Sequence, residues 1–263
     1  MMRLEDLAWH RSVGRLIGKL NQADFWSKLV LALQEFVPFD NWVAMVYCPN
    51  RMPIVLADMA VEGEETAMLF QEYLNGVYRF DPFYLASLES KAPTLLRLDE
   101  VAPDCFRLTD YYHRYFKLIV IEDEVQFCQP VPGIGVISLS LGARRKFSVA
   151  EYEVLALIQP WVLALMQQRL AYELDIDPSG DKTVSAAAGN DLVAACLHWN
   201  GSILTAREHD VGQLMLSGYS TKSIAQKLKI AVETVRVHKK HIYGKLEINS
   251  QSELFSIFLQ EQK

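Results

Sequence analysis

The sequence predicts two domains of unlike class: an α+β sandwich with a central antiparallel sheet, then an all-α domain carrying a helix-turn-helix. Three observations carry this. Between Trp42 and Leu141, short apolar runs bounded by Pro, Gly and Asn read as strands, with helical patterns before, between and after them. From Asp175 to Asn190 the chain turns to Asp, Pro, Ser, Gly and Ala without an apolar period, the composition of a linker. From Leu204 to Glu247, three short helical patterns end at sharp stops. The 263 residues leave room for two domains, at about 100–200 residues each. The expected division is 1–174, a linker at 175–199 in which 191–199 can add a short helix, and 200–263.

In chain order, Asp24 can cap a helix bearing Phe25, Leu29, Leu33 and Phe36 at helical spacing, ended by Pro38. Trp42–Tyr47 and Ile54–Ala57 read as strands, and Glu64–Tyr78 as an amphipathic helix whose acidic start suits the helix dipole. Asp81-Pro82 opens another helical piece, with Pro where its missing N–H costs nothing. Leu95–Leu98 is a strand candidate, and Thr109 or Asp110 caps the segment YYHRYFK. Strands at Val125–Cys128 and Ile134–Leu141 flank a Pro130-Val131-Pro132-Gly133 turn. Ser148 caps a long helix to about Glu173, with Pro160 inside it.

In the C-terminal domain, Thr205 with Glu208 three residues on is a capping box. Gly218 ends that helix, since a residue without a Cβ takes the left-handed conformation of a C-terminal cap. Ser220 caps a second helix that buries Ile224, Ala225 and Leu228, and Lys229-Ile230-Ala231 turns into a third. On that third helix Val232, Val235, Ile242 and Leu246 share one side, and Glu233, Arg236, Val237 and Lys240 share the other. An outward cationic face on the second helix of such a pair is placed for the major groove of double-stranded DNA. Arg236 and Lys240 can reach guanine edges or phosphates, Val237 a thymine methyl, while Lys222 and Lys245 flank the helix for backbone phosphates.

This stretch resembles the DNA-binding domain of the LuxR/FixJ family of bacterial transcription regulators. The matching residues are Leu204-Thr205-x-Arg207-Glu208, Gly218-Tyr219-Ser220, Lys222, Ile224-Ala225, Leu228, Ile230, Thr234-Val235-Arg236, His238, Ile242 and Lys245-Leu246. The resemblance implies four helices, the last a tail helix at 250–261, and a homodimer on an inverted repeat, with RNA polymerase as a further partner. Carried over by position, it implies that Arg236, Val237 and Lys240 face the bases; with Lys222, Thr234 and Lys245 they make up the candidate DNA contacts. Three residues depart from the family pattern. Ala231 stands where a capping Ser is usual, which forgoes about 1 kcal/mol; Ser223 replaces a usual Glu of the scaffold helix, and Gln251 a usual Arg.

The N-terminal half partly resembles the quorum-sensing, autoinducer-binding domain of the same family, a GAF-like α/β/α sandwich. Tyr73, Tyr78 and Asp81-Pro82 echo its aromatics ahead of an Asp-Pro pair, the Asp accepting a hydrogen bond from a ligand amide. The Trp usual ahead of that Tyr is absent, with Met68, Leu69 and Phe70 in its region, so the resemblance speaks for the fold more than for an acyl-homoserine lactone. The residues themselves cluster rings and carboxylates: Phe80-Asp81-Pro82-Phe83-Tyr84, Tyr111-Tyr112-x-x-Tyr115-Phe116 and Glu122-Asp123-Glu124. Tyr73, Asp81, Tyr84, Tyr112 and Glu124 are the candidate ligand contacts, suited to an amide or amine. The alternatives are aromatic core packing for the tyrosines, a helix cap for Asp81 and a solvated turn for Glu124.

Charge is unevenly spread. Residues from Gly201 onward hold 9 Lys or Arg against 6 Asp or Glu, a net of +3, whereas the first 200 hold 17 against 26, a net of −9. That suits a domain binding DNA through local charge. Cys48, Cys105, Cys128 and Cys196 show no metal-ligand spacing and read as buried thiols of a reducing compartment. The N-terminus lacks a signal-peptide core, and the apolar run Val154–Met166 is short for a bilayer and contains Gln159 and Pro160; a soluble cytoplasmic protein is expected. Cys105, Asp110 and His113 lie close in sequence without a nucleophile motif, and no Gly-rich phosphate loop is present, so neither enzyme nor cofactor is expected. The helical opening also lacks the acidic pair and βα alternation of a phospho-accepting receiver domain. Helices at 148–173 and 250–261 carry more apolar positions than one face needs, and each is a candidate for dimer contact or intrachain core.

Overall fold

The computed structural model describes residues 7–48, 51–59, 64–120, 122–174 and 204–261; the expected linker and the helix expected at 191–199 lie outside them. The elements in chain order are α1 (Leu7–Ile17), α2 (Phe25–Gln34), β1 (Asn41–Tyr47), β2 (Ile54–Asp58), α3 (Glu64–Leu74), α4 (Pro82–Glu89), β3 (Thr94–Arg97) and α5 (Leu98–Val101). They continue with α6 (Lys117–Ile119), β4 (Asp123–Val131), β5 (Gly135–Ala143), α7 (Val149–Leu174), α8 (Ala206–Leu216), α9 (Thr221–Leu228), α10 (Val232–Leu246) and α11 (Gln251–Glu261). Single 3₁₀ turns at Val77–Phe80 and Phe106–Leu108 and a wide π turn at Tyr112–Phe116 interrupt the helices. The chain divides into two units. One is drawn from Met1–Val61, Ser87–Leu98 and Val120–Ser185; the other from Glu62–Ala86, Asp99–Ile119 and Ala186–Lys263.

The first unit is built on a five-stranded antiparallel sheet in the order β2-β1-β5-β4-β3. Side chains alternate across a strand, and the two faces differ in chemistry. Ala44 and Val46 of β1, Leu95 of β3, Val125 and Phe127 of β4, and Ile137, Leu139 and Leu141 of β5 join one apolar core. Leu16 of α1, Phe25, Leu29 and Leu33 of α2, and Leu155, Ile158, Val162 and Met166 of α7 complete it. Each such side chain, removed from water, contributes about 1.5–3 kcal/mol against the entropy of ordering the chain. The inward stripe of α7 is thus intrachain core. Among the described residues α7 is the one helix long and apolar enough to cross a membrane by length and composition, and its apolar side is spent on the sheet.

Local chemistry explains the boundaries. The helix expected to reach Tyr78 stops at Leu74, because Gly76 takes φ +155° and the chain re-enters as a 3₁₀ turn. Asp24 precedes α2 without a side-chain capping bond. Thr109, not Asp110, caps the YYHRYFK segment: its Oγ1 accepts from Tyr112 N at 3.0 Å. The β4–β5 strands run further than expected, so Pro130 and Val131 pair with Val136 and Gly135, and Gly133 carries the turn at φ +77°. Ser148 caps α7 by accepting from Glu151 N at 3.3 Å while Glu151 accepts from Ser148 N at 2.8 Å. Cys48 and Cys128 are buried as expected, whereas Cys105 is half-buried; Cys196 lies outside the described residues.

The second unit holds α8–α11 together with α3, the 3₁₀ turns and the π turn. Val235 and Ile242 of α10 are fully buried, and α11 adds Leu254, Phe255 and Phe258. Phe80 meets the rings of Phe255 and Phe258 at 5.7 and 4.6 Å, and Tyr115 meets Phe255 at 6.4 Å. The tail-helix stripe offered by the sequence for dimer contact is therefore largely core of its own chain, with Ile257 and Leu259 half-buried.

One buried cation ties the first unit together. Arg169 of α7 donates to Leu20 O and Gln22 O at 2.7 and 2.8 Å and pairs with Glu173 at 2.7 Å, while Trp26 Nε1 donates to the same Glu173 oxygen at 2.9 Å. Arg169→Ala leaves two carbonyls and a carboxylate short of donors, and is expected to destabilise the chain by about 3 kcal/mol. Chemical denaturation checks this; a loss below about 1 kcal/mol, typical of an exposed pair, contradicts it.

Candidate nucleic-acid interface and sensor face

α10 is presented by the packing of α8 and α9 beneath it. The Thr205–Glu208 capping box starts α8: Thr205 Oγ1 accepts from Glu208 N, and Glu208 accepts from Thr205 N at 2.7 Å. Gly218 follows α8 at φ +96°, Ser220 Oγ caps α9 by accepting from Ser223 N at 3.2 Å, and Lys229 ends α9 in the left-handed conformation at φ 54°. Arg207 closes the α9 end by donating to Leu228 O at 2.7 Å. Ala231 precedes α10 with no side-chain capping bond, as its methyl dictates. Gln251, in place of the usual Arg, donates to Met215 O at 2.6 Å and links α11 to α8.

With Val235 and Ile242 turned inward, α10 exposes Glu233, Thr234, Arg236, Val237 and Lys240 on its outer side, with His238 half-buried at the edge. Arg236 pairs with Glu233, both well exposed. Such a pair is worth about 0–1 kcal/mol and yields readily to a phosphate or base edge. Lys222 is exposed in the first turn of α9. Lys245 differs: it is half-buried and donates to Glu208 Oε2 at 2.7 Å, so its ammonium is committed to a buried carboxylate of its own domain.

Burial pushes the Glu208 carboxyl up, but hydrogen bonds from Lys245 and from the Thr205 amide and hydroxyl outweigh it and bring the group down to about 2 from 4.5. A depressed carboxyl stabilises the fold above its unfolded value and loses that contribution as pH falls toward the folded one. The α8–α10 packing is therefore expected to weaken between pH 4.5 and about 2. Acid titration of Glu208→Gln beside the parent checks this: the variant's stability should fall less steeply in that window, and parallel curves contradict it.

The predicted ligand contacts fall in both units. In the helical unit Asp81 is buried and caps α4: its Oδ1 accepts from Phe83 N and its Oδ2 from Tyr73 OH, each at 2.8 Å. Burial raises its carboxyl above the usual range, opposed by hydrogen bonds from Tyr73, Phe83 N, Tyr111 and Tyr84 N. Tyr84 is buried edge-on to Tyr78 at 4.9 Å, and Tyr112 stacks on Phe116 at 5.8 Å and meets Phe106 at 5.5 Å. Both alternatives raised by the sequence for these residues, helix cap and ring packing, are thus realised. Tyr115 donates to Glu72, and burial first, then that carboxylate, pushes its phenol up.

Glu124 belongs to the sheet unit. It is buried rather than in a solvated turn, on the face of the sheet opposite the apolar core. That face continues through Gln126 and Cys128 of β4, which pair with Ser140 and Ser138 of β5, and through Met45 of β1. All are buried, and among the described residues both the Nε2 and Oε1 of Gln126 lack a hydrogen-bond partner. A buried polar atom left without a partner costs about 1–3 kcal/mol. Gln126, Ser138 and Ser140 were missed by reading β4 and β5 as apolar strands. The signal was the polar phase of a period-two pattern, Glu124-x-Gln126 and Ser138-x-Ser140.

The family of bacterial regulatory proteins described as the luxR family matches residues 202–258. A protein of Aeromonas salmonicida described as an HTH-type transcriptional regulator in the exeN 3′ region is 32% identical over 192 residues, 68% of this chain and 93% of that one. The chain belongs to the LuxR family. It is a LuxR-type DNA-binding regulator, and α8–α11 are its helix-turn-helix domain. The N-terminal part is similar to the VqsR LBD domain from Pseudomonas aeruginosa, at 35% identity and TM-score 0.58 over 64% of this chain and 99% of that one. It therefore carries the quorum-sensing-like sandwich on which LuxR-type sensor domains are built. The oxygen regulatory protein NreC of Staphylococcus haemolyticus is 42% identical over 60 residues, and the match spans 28% of that protein.

Proposed function

We propose that this LuxR-type regulator is gated by a small molecule bound over the polar face of its sheet, and acts in the cytoplasm as a homodimer on an inverted repeat. The observation that carries the ligand reading is the Gln126 carboxamide, buried with both its donor and its acceptor unpartnered among the described residues. A ligand amide or ester would supply both, with Ser140 opposite and Glu124 two residues away on the same face. Asp81 is in this reading a separate ligand contact of the helical unit, a buried carboxylate that a ligand donor would share with Tyr73 and Tyr111. The likeness to a ligand-binding domain supports the same reading. Leu157 and Tyr172, exposed on α7 after its inward stripe is spent, supply part of the dimer surface.

A second reading is favoured by the tyrosines. Tyr73 is engaged by Asp81, and Tyr84 and Tyr112 pack on other rings, which suits a rigid dimerisation or docking platform. A thermal-shift screen of amides, amines and acyl lactones separates the two. A true ligand raises the melting temperature, and Gln126→Leu, which fills the same space without the amide, removes the shift. A broad screen without a hit, on protein that still binds DNA, favours the platform.

On the DNA side, Arg236 and Lys240 read bases while Lys222 holds the backbone, with Thr234 and Val237 beside them. Arg236→Ala is expected to weaken operator binding by about 1–3 kcal/mol and to relax specificity at one position. Lys222→Ala is expected to weaken all duplexes alike and to lower the salt slope by about 1. Salt-controlled titrations against operator and random duplex check both; an unchanged operator affinity removes Arg236 from the groove. Lys245 serves this reading through Glu208, by fixing the attitude of α10, rather than by reaching a phosphate.

A further inference from the structure

The segment before the π turn is wrapped around the α8–α9 turn of the DNA-binding domain. Asp104 Oδ1 accepts from Ser220 N and its Oδ2 from Ser223 Oγ, each at 2.9 Å. Next to it, Cys105 N donates to Gly218 O at 2.8 Å. A Cβ at Gly218 would lie 2.8 Å from Phe106 Cα and 2.9 Å from Thr109 Cγ2, so the two backbones touch only because residue 218 has no side chain. Burial raises the Asp104 carboxyl, but the bonds from Ser220 and Ser223 outweigh it and hold the group below the usual carboxylate range.

The place that this carboxylate occupies is informative. The scaffold helix of a helix-turn-helix crosses the DNA backbone, and the start of a helix, with its unpaired amides and positive dipole end, is where a phosphate oxygen is held. α9 is that helix, Lys222 is exposed in its first turn, and Asp104 already fills the position with two acceptor oxygens and a negative charge. Ser223 is the residue that departs from the usual Glu of the scaffold helix. A Glu there would set a second carboxylate against Asp104, whereas the Ser hydroxyl donates to it. The outer side of α10 stays exposed throughout, so the contact occupies the backbone position and leaves the base-reading face open.

We propose that Asp104 stands in for a DNA backbone phosphate at the start of α9, and that the regulator must release it before the scaffold helix can seat on a duplex. The contact is an intramolecular latch. Whatever withdraws the 104–109 segment raises DNA affinity without touching the recognition helix. The apparent affinity is reduced by the fraction of molecules in which the latch is closed. This inference rests on the DNA-binding reading alone and stands or falls separately from the ligand reading.

The test is an anisotropy titration of the full-length protein against a labelled duplex at low salt. The set is Asp104→Ala, Ser223→Ala, the double variant, and Glu100→Gln as a control of equal charge change on an exposed neighbouring residue. Asp104→Ala is expected to tighten binding about fivefold or more, and Ser223→Ala to tighten it to a lesser degree. The double variant should gain nothing over Asp104→Ala, and Glu100→Gln should stay within about twofold of the parent, the size of a bare charge effect. Ser223→Ala tests the latch without altering charge, even if Asp104→Ala fails to fold. Equal gains for Asp104→Ala and Glu100→Gln, or unchanged or weaker binding by Ser223→Ala, overturn the proposal.

Discussion

Gly218 carries the constraint on which the second unit depends. Its φ of +96° turns the chain from α8 into α9, a conformation that any side chain resists. Its bare Cα lets the backbone at Phe106 approach closely enough for Cys105 N to reach Gly218 O. A single residue therefore sets the angle between the first two helices of the DNA-binding domain and docks a segment from the N-terminal half on the turn between them. The aromatic packing of Phe80 and Tyr115 on Phe255 adds area to a union whose geometry that turn has set.

In the sheet unit the corresponding constraint is the contrast between two faces. One is covered by aliphatic and aromatic side chains of α1, α2 and α7 and gains its stability from exclusion of water. The other is just as buried but carries a carboxylate, a carboxamide and two hydroxyls. A core selected for stability alone would have avoided the cost of Gln126. Arg169 shows the satisfied version of the same problem: its buried guanidinium has a carboxylate and two carbonyls to meet it. The difference between a fully met cation and an unmet amide separates a structural polar residue from a functional candidate.

Much of the fold was legible before any coordinates. The Thr205–Glu208 box, the Gly218 stop and the Ser220 cap are local bonds between residues three apart, and they form as read. The projection of α10 held because helical period alone decides which side chains share a side; Val235 and Ile242 went inward, and Arg236 and Lys240 outward. Readings that depended on partners from elsewhere in the chain fared differently. Lys245 turned from a phosphate contact to the counter-ion of Glu208, 37 residues away. The tail-helix stripe found its partner in Phe80, far back in the sequence. Asp81, read as ligand contact or cap, caps α4 through Phe83 N and is further held by Tyr73, from the helix before it.

The sequence by itself determined where the helices of the C-terminal domain start and stop, that this domain holds a helix-turn-helix, and which side of its recognition helix is cationic. These depend on hydrogen bonds and periodicities within a few residues, which tertiary context had no cause to override. Only the tertiary structure decided what Glu124 and Gln126 face, that the tail helix is spent within its own chain, and that Asp104 reaches the start of α9 across 116 residues. Those are contacts between distant segments, fixed by which surfaces exclude water together and which charges find a donor once they do, and no local pattern encodes them.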